Sequence, residues 1–416
     1  MIVLSGAEIV LPDRILARGT LVIDAGRIVE IRPEPSPGPG HPHPTFALHD
    51  HYIVPGFIDV HVHGVDGVDS LDGDDAVRSI AARLPRYGVT AFCPTAVACT
   101  PATLRRLLDQ VRAARETLDP RAERAERAAR VLPAHLESNF INPQFRGAQP
   151  AACLRSPRAA LDGSSVPEAG RKARDNQAFD FDAADVLREF ERAPSSVGIV
   201  TIAPELDGGL DLVRWLSARG HRVSLGHSNA TYDEALAAIA AGARHATHLF
   251  NRMPPLDHRA PGLVGAILQT EEVAAELICD AFHVHPALVR TAVAAKRPSR
   301  VLAITDGTAA SGLSVGRRAS LGGQSITARE SAAFLDDGTI AGSVLTMERA
   351  FQVLVGRVGL SLIDAVTLCA TTPAREIGLV GHGVLAPDAV ADIVILDAHL
   401  TVVQTYIAGQ LVYSRN

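Results

Sequence analysis

The segment Pro55-Gly56-Phe57-Ile58-Asp59-Val60-His61-Val62-His63-Gly64 decides how the rest of the chain is read. It is a short apolar run that closes on two histidines. Residues i and i+2 of a strand share one face, so both imidazoles can address a single ion. Seven later runs have the same form, apolar residues ending on a polar one: Val89–Thr95, Val131–Glu137, Gly198–Glu205, Arg222–His227, His245–His248, Ala275–Asp280 and Arg300–Asp306. Helical periodicity fills gaps between them at Ala102–Arg115, Asp182–Arg192, Leu210–Arg219, Tyr232–Ala241 and Pro286–Ala295. Eight strand-then-helix units over 55–384 predict an α/β fold, a (β/α)8 TIM-like barrel with insertions.

Outside that repeat the texture is β-rich. Residues 1–54 hold short apolar stretches (Val3-Leu4, Leu21–Ile23, Ile28–Ile31) separated by turn formers such as Asp24-Ala25-Gly26-Arg27. Residues 385–416 repeat the pattern at Ala391–Asp397, Val402-Val403 and Tyr406–Tyr413. The two ends are therefore expected to pair as a small β-sandwich domain. Three polar stretches stand apart from both patterns. Pro33–Pro44 reads as a loop that carries His41 and His43, and Arg121–Arg130 as a solvated helix. Arg155–Phe179, with Lys172, reads as an insertion that could serve as a lid.

Composition narrows the chemistry. The chain has 416 residues, 47% hydrophobic and 21% charged, with a net charge of −6. That is ordinary for a globular protein and offers no basic face to nucleic acid. Lysine occurs only as Lys172 and Lys296, preceded by Arg171 and Ala295, so there is no Gly-Lys-Ser/Thr phosphate loop and little scope for Schiff-base chemistry. Cys93, Cys99, Cys153, Cys279 and Cys369 are scattered and form no Cys-x-x-Cys pair, which argues against a disulfide framework and for a reducing compartment. The start of the chain has no basic leader or apolar core, and no uncharged apolar run reaches about 18 residues. A cytoplasmic protein without a membrane partner is expected.

Barrel enzymes carry their chemistry at the C-terminal ends of the strands. There the runs present His61 and His63, Glu137, His227, His248 and Asp306. A histidine at one strand end is usually just hydrogen-bonded. Four histidines with two carboxylates on five strands of one barrel point to a metal centre. Imidazole and carboxylate donors without thiolate suit zinc, or iron, manganese or cobalt, and leave a position open for water. Such an ion lowers the pKa of water to about 7, and Asp306 is the carboxylate best placed to move its proton. Hydrolysis of a carbonyl-type bond follows.

At these residues the chain resembles the N-acetylglucosamine-6-phosphate deacetylases of the amidohydrolase superfamily. The resemblance rests on the strand-1 segment, His135-Leu-Glu137, Gly226-His-Ser-Asn-Ala-Thr-Tyr232, Thr247-His-Leu-Phe-Asn-x-Met-Pro-Pro255, His258-Arg-Ala-Pro-Gly262, Asp280-Ala-Phe-His-Val-His285 and Ala341-Gly-Ser-Val-Leu-Thr-Met347. It implies a divalent ion held by Glu137, His227 and His248, with His61 and His63 matching members that bind a second ion bridged by Glu137. It also implies Asp306 as acid/base and Asn251 and His283 on the sugar phosphate. In the hydrolysis itself, the metal or a histidine such as His135 is expected to polarise the carbonyl. Arg259 would reach the phosphate of a neighbouring subunit in a homodimer. The chain departs from the family at Ser138-Asn139, at Gln149 where a sugar-binding histidine is usual, and at Arg252 where alanine is usual. Those departures concern the sugar, leaving a related N-acetyl amino sugar, phosphorylated or not, as the alternative substrate. Two other readings are weaker. Relatives that bridge two metals through a carbamylated lysine need one on strand 4, which here runs Ile199–Glu205 without it. A non-catalytic scaffold would have lost some of the six donors, and none is missing.

Overall fold

A computed structural model describes residues 1–33, 45–73, 75–117, 128–163 and 180–415. His41 and His43, most of Arg121–Arg130, and Lys172 with the 164–179 part of the proposed lid lie outside them.

The barrel strands are Phe57–Val62, Val89–Ala96, Ala134–Leu136, Val197–Ile202, Arg222–Leu225, His245–Ala246, Ala274–Ile278 and Val301–Ile304. Each pairs in parallel with the next. The last strand returns to the first through a parallel bridge between Val62 and Gly307 and the bond from Asp306 N–H to the His61 carbonyl at 2.9 Å. Every residue of the first two strands is buried, as expected of parallel strands covered on both faces. The third run is not one strand. Pro133 has no N–H to give a ladder, and the run breaks into Arg130–Val131 and Ala134–Leu136.

The strands also stop earlier than their apolar runs suggest. His227, His248 and Asp306 lie just past the strand ends with φ of +48°, +29° and +47°. Left-handed backbone at a non-glycine residue costs about 1–3 kcal/mol and cannot continue a ladder. It turns these side chains from the sheet toward the barrel mouth.

The chain ends form one eight-stranded sheet in which Ile393–Leu396 pairs antiparallel with Tyr52–Pro55, joining the C-terminal strands to the N-terminal ones. Leu4, Ile9, Leu21, Ile28, Ile53, Ile395 and Tyr406 share its core. Tyr52–Pro55 continues across Gly56 into the first barrel strand, and a Cβ at Gly56 would sit 2.3 Å from Thr90. One element was not expected. After the eighth barrel strand, Arg318–Leu321, Gln324–Ala328 and Ala333–Leu335 form a small antiparallel sheet over Val97 and Ala310. Trp215 is half-buried against the core, with the Arg219 guanidinium 3.7 Å from its ring centre.

Candidate metal centre

The six strand-end residues converge at the mouth of the barrel, none more than 8% exposed. Glu137 Oε1 lies 3.0 Å from His227 Nε2 and 2.9 Å from His248 Nε2. On the other side Asp306 Oδ1 lies 3.3 Å from the Nε2 atoms of both His61 and His63. Glu137 spans the two halves, with Oε1 3.6 Å from His61 and Oε2 3.4 Å from His63. Two donor triads result, Glu137/His227/His248 and His61/His63/Asp306.

The donor chemistry fits a cation. His227 Nδ1 sits 2.8 Å from the Phe145 carbonyl, and His61 Nδ1 2.9 Å from a carboxylate oxygen of Glu276. A carbonyl or carboxylate can only accept, so each Nδ1 carries the proton and each Nε2 presents a lone pair to the centre. His227 and His248 Nε2 are 3.0 Å apart, and those of His61 and His63 3.3 Å. Nitrogens packed so closely around two carboxylates call for positive charge between them. The titration of the same groups shows the same demand for positive charge, which a proton meets when no cation does. Burial would lower both histidines, but Glu276, Asp306 and Glu137 outweigh it and raise His61 to about 9. Asp306 and Glu137 likewise raise His63 to about 10. Burial pushes Glu137 and Asp306 up, yet the surrounding imidazoles bring both below the usual carboxylate value.

A second layer lies beneath. Glu276 is fully buried and meets His61 Nδ1 at 2.9 Å, His245 Nε2 at 2.9 Å and the His248 N–H at 3.2 Å. Sequence reasoning missed it. Its one signal was a charged residue inside the apolar run Ala274-Ala275-Glu276-Leu277-Ile278, where no solvent-facing side exists. Asp59 is a similar case, buried on the first strand and raised to about 6 by desolvation, with Thr305 Oγ donating to it at 2.6 Å.

His135 requires a correction. It shares a strand face with Glu137 but sits two residues, roughly 7 Å, deeper in the barrel. Its nitrogens meet the Val60 carbonyl at 3.1 Å and Thr201 Oγ at 2.9 Å, and it does not line the cavity above the centre. It braces His61, ring to ring at 4.5 Å, and is out of reach of a substrate carbonyl.

That cavity has a volume of about 440 Å³, within the range of small-molecule sites. Asn251, Arg252 and His283 line it. The Asn251 amide nitrogen and His283 Nε2 are buried without a hydrogen-bond partner among the described residues. Asp280 holds the other His283 nitrogen at 2.5 Å, so Nε2 is aimed rather than loose. Arg252 is exposed at the rim in left-handed backbone, with φ of +53°. Arg259 is also exposed but does not line the cavity of its own chain. Gln149 reaches the cavity wall, yet its amide binds protein at both ends, Ala98 N–H and Glu137, rather than standing free for a sugar. Ser138 and Asn139 also turn inward, Ser138 donating to the Thr201 carbonyl and Asn139 to those of Cys99 and Cys153. His285, just before Pro286, caps its helix by accepting from the Ala287 N–H at 3.2 Å.

Comparison with known proteins places the chain in a family. The amidohydrolase family model matches residues 52–412. The chain is 36% identical over 416 residues to N-acetylglucosamine-6-phosphate deacetylase of Rattus norvegicus, covering 96% of this chain and 94% of the relative. It is 33% identical over 361 residues to N-acetylgalactosamine-6-phosphate deacetylase of Escherichia coli O157:H7, covering 86% and 87%. A variant of N-acetyl-D-glucosamine-6-phosphate deacetylase from Mycobacterium smegmatis, solved in complex with N-acetyl-D-glucosamine-6-phosphate, superposes over 99% of both chains with a TM-score of 0.84 at 31% identity. With the barrel, the terminal sheet and this agreement over nearly its whole length, the chain belongs to the N-acetylglucosamine-6-phosphate deacetylase family of the amidohydrolases, enzymes that hydrolyse an amide.

Proposed function

We propose that the chain hydrolyses the acetamide of N-acetylglucosamine-6-phosphate to glucosamine-6-phosphate and acetate, using one or two divalent ions. One observation carries the reading: Asp306, bound to the His61/His63 half of the centre, also lines the cavity where a substrate would lie. Glu137, His227 and His248 would hold one ion, and His61, His63 and Asp306 a second with Glu137 between them. Zinc is the first choice for this donor set, ahead of iron, manganese and cobalt. When bound, such an ion supplies a Lewis acid that makes water a nucleophile near neutral pH. Asp306, kept ionised by His61 and His63, takes the proton of the attacking water and returns it to the departing amine nitrogen.

Asn251 and His283 present their unpartnered nitrogens to the sugar phosphate, and Arg252 adds positive charge at the rim. Arg259, which does not line its own cavity, is proposed to complete that of a second copy in a homodimer. No helix among the described residues is long and apolar enough to cross a membrane. The cytoplasmic location expected from the scattered cysteines stays a proposal.

The departures at Gln149 and Arg252, with a galactosamine-type relative, keep N-acetylgalactosamine-6-phosphate as the second reading. Values of kcat/KM for N-acetylglucosamine and N-acetylgalactosamine, each with and without the 6-phosphate, test both. The expected order puts N-acetylglucosamine-6-phosphate first, with unphosphorylated sugars at least about 100-fold lower, since buried donors left unpaired discriminate strongly. Equal rates with and without phosphate would overturn the roles of Asn251, His283 and Arg259. A preference for the galactosamine epimer would establish the second reading.

A further inference from the structure

We infer that Gln149 is a positioning residue that fixes how Glu137 divides its two oxygens between the halves of the centre. The inference rests on the metal reading above. Gln149 is 3% exposed. Its Oε1 accepts from the Ala98 N–H at 2.7 Å, and its Nε2 donates to Glu137 Oε2. Glu137 is already tied by its backbone to the same edge, its N–H donating to the Ala96 carbonyl at 3.0 Å. The amide of Gln149 is therefore a strut from the exit of the second barrel strand to the carboxylate, parallel to that backbone bond.

The strut sorts the oxygens. An amide N–H can only donate, so it keeps Oε2 on its own side, where His63 Nε2 is 3.4 Å away. Oε1 is then left to face His227 and His248. A neutral donor achieves this without adding positive charge that would oppose a cation, as lysine or arginine would.

The loop that carries Gln149 is itself fastened to the same half of the centre. The Asn142 N–H donates to the His227 carbonyl at 3.0 Å, and the Phe145 carbonyl holds His227 Nδ1 at 2.8 Å. Gln149 is pinned at the loop's far end, its N–H on the Arg146 carbonyl at 3.0 Å and its carbonyl taking the Arg146 guanidinium at 3.2 Å. One segment, 142–149, thus orients two donors of one triad, His227 by a backbone carbonyl and Glu137 by a side-chain amide. Partners of this kind typically change metal affinity 10- to 100-fold when removed.

The test is Gln149→Met, which keeps the length and removes both hydrogen bonds. The whole chain is stripped of metal, then titrated with zinc against a chromophoric chelator and, separately, loaded with cobalt(II) for its visible spectrum. The expected result is zinc bound about 10- to 100-fold more weakly and an altered cobalt band. Wild-type affinity and spectrum with a raised KM would overturn the inference and make Gln149 a substrate contact. A wild-type chain that binds neither ion would instead remove the metal reading, and this inference with it. Melting of the metal-free variant controls for folding. Should it melt early, Gln149→Asn, an amide one methylene too short to span Ala98 and Glu137, replaces it in both titrations. Weaker zinc binding by that variant supports the inference, and wild-type binding overturns it.

Discussion

Glu137 at the mouth of the barrel and Glu376 at its floor are both buried carboxylates surrounded by bases, and they differ in what the bases are. Glu376 is met by Arg222 at 3.2 Å, Arg300 at 3.1 Å and Arg375 at 2.9 Å. Guanidinium is always charged and can only donate, so the cluster is complete as folded. Burial, together with the like charges of Arg300 and Arg375, holds Arg222 below its usual value, though Glu376 opposes this. Glu137 is met by imidazoles, which can be neutral and turn a lone pair inward. The floor is closed by its own charges, whereas the mouth is left wanting a cation. Burial of a carboxylate therefore does not identify a site; the protonation freedom of its partners does.

Three substitutions can break or sharpen that contrast. The largest effect is expected from Asp306→Asn, which should lower kcat by about 10²- to 10⁴-fold while the ion held by Glu137, His227 and His248 stays bound. Steady-state kinetics alongside elemental analysis measures both, and a nearly unchanged kcat would end the acid/base assignment. Next, Glu276→Gln should weaken metal binding about 10- to 100-fold, because His61 loses the carboxylate that sets its tautomer. Chelator competition reads this directly, and an unaltered affinity would reduce Glu276 to packing. The smallest functional effect belongs to Glu376→Gln, predicted to leave metal affinity and kcat/KM alone. It should cost about 1–3 kcal/mol of stability, the range for hydrogen bonds to a charged group. The figure is modest because Arg222, Arg300 and Arg375 remain 30%, 32% and 47% exposed and can turn to water. A fall in metal affinity here would show that floor and mouth are coupled and the contrast false.

The legible parts of the molecule were those that depend on local pattern. Parallel strands buried on both faces read as unbroken apolar runs, so Val89–Ala96 and Arg222–Leu225 stand almost where the sequence put them. The donors could be picked out because each is the polar residue that ends such a run. The small sheet at 318–335 was not visible, since strands of 4, 5 and 3 residues are too short to show an alternating pattern. His135 misled for a geometric reason. It has the right residue type on the right face, but one strand step separates the layer that meets substrate from the layer that supports it.

By itself, then, the sequence determined the barrel, the sheet built from both chain ends, and the six strand-end side chains and their order. Those features follow from periodicity and residue type over a few neighbouring positions. Only the tertiary structure decided which nitrogen of each histidine faces the centre, that Glu276 stands beneath His61, and that Gln149 meets Glu137. Hydrogen bonds such as His61 to Glu276 join residues 215 positions apart. No local pattern encodes which donor will meet which acceptor until the barrel closes and leaves each buried polar group a small set of partners.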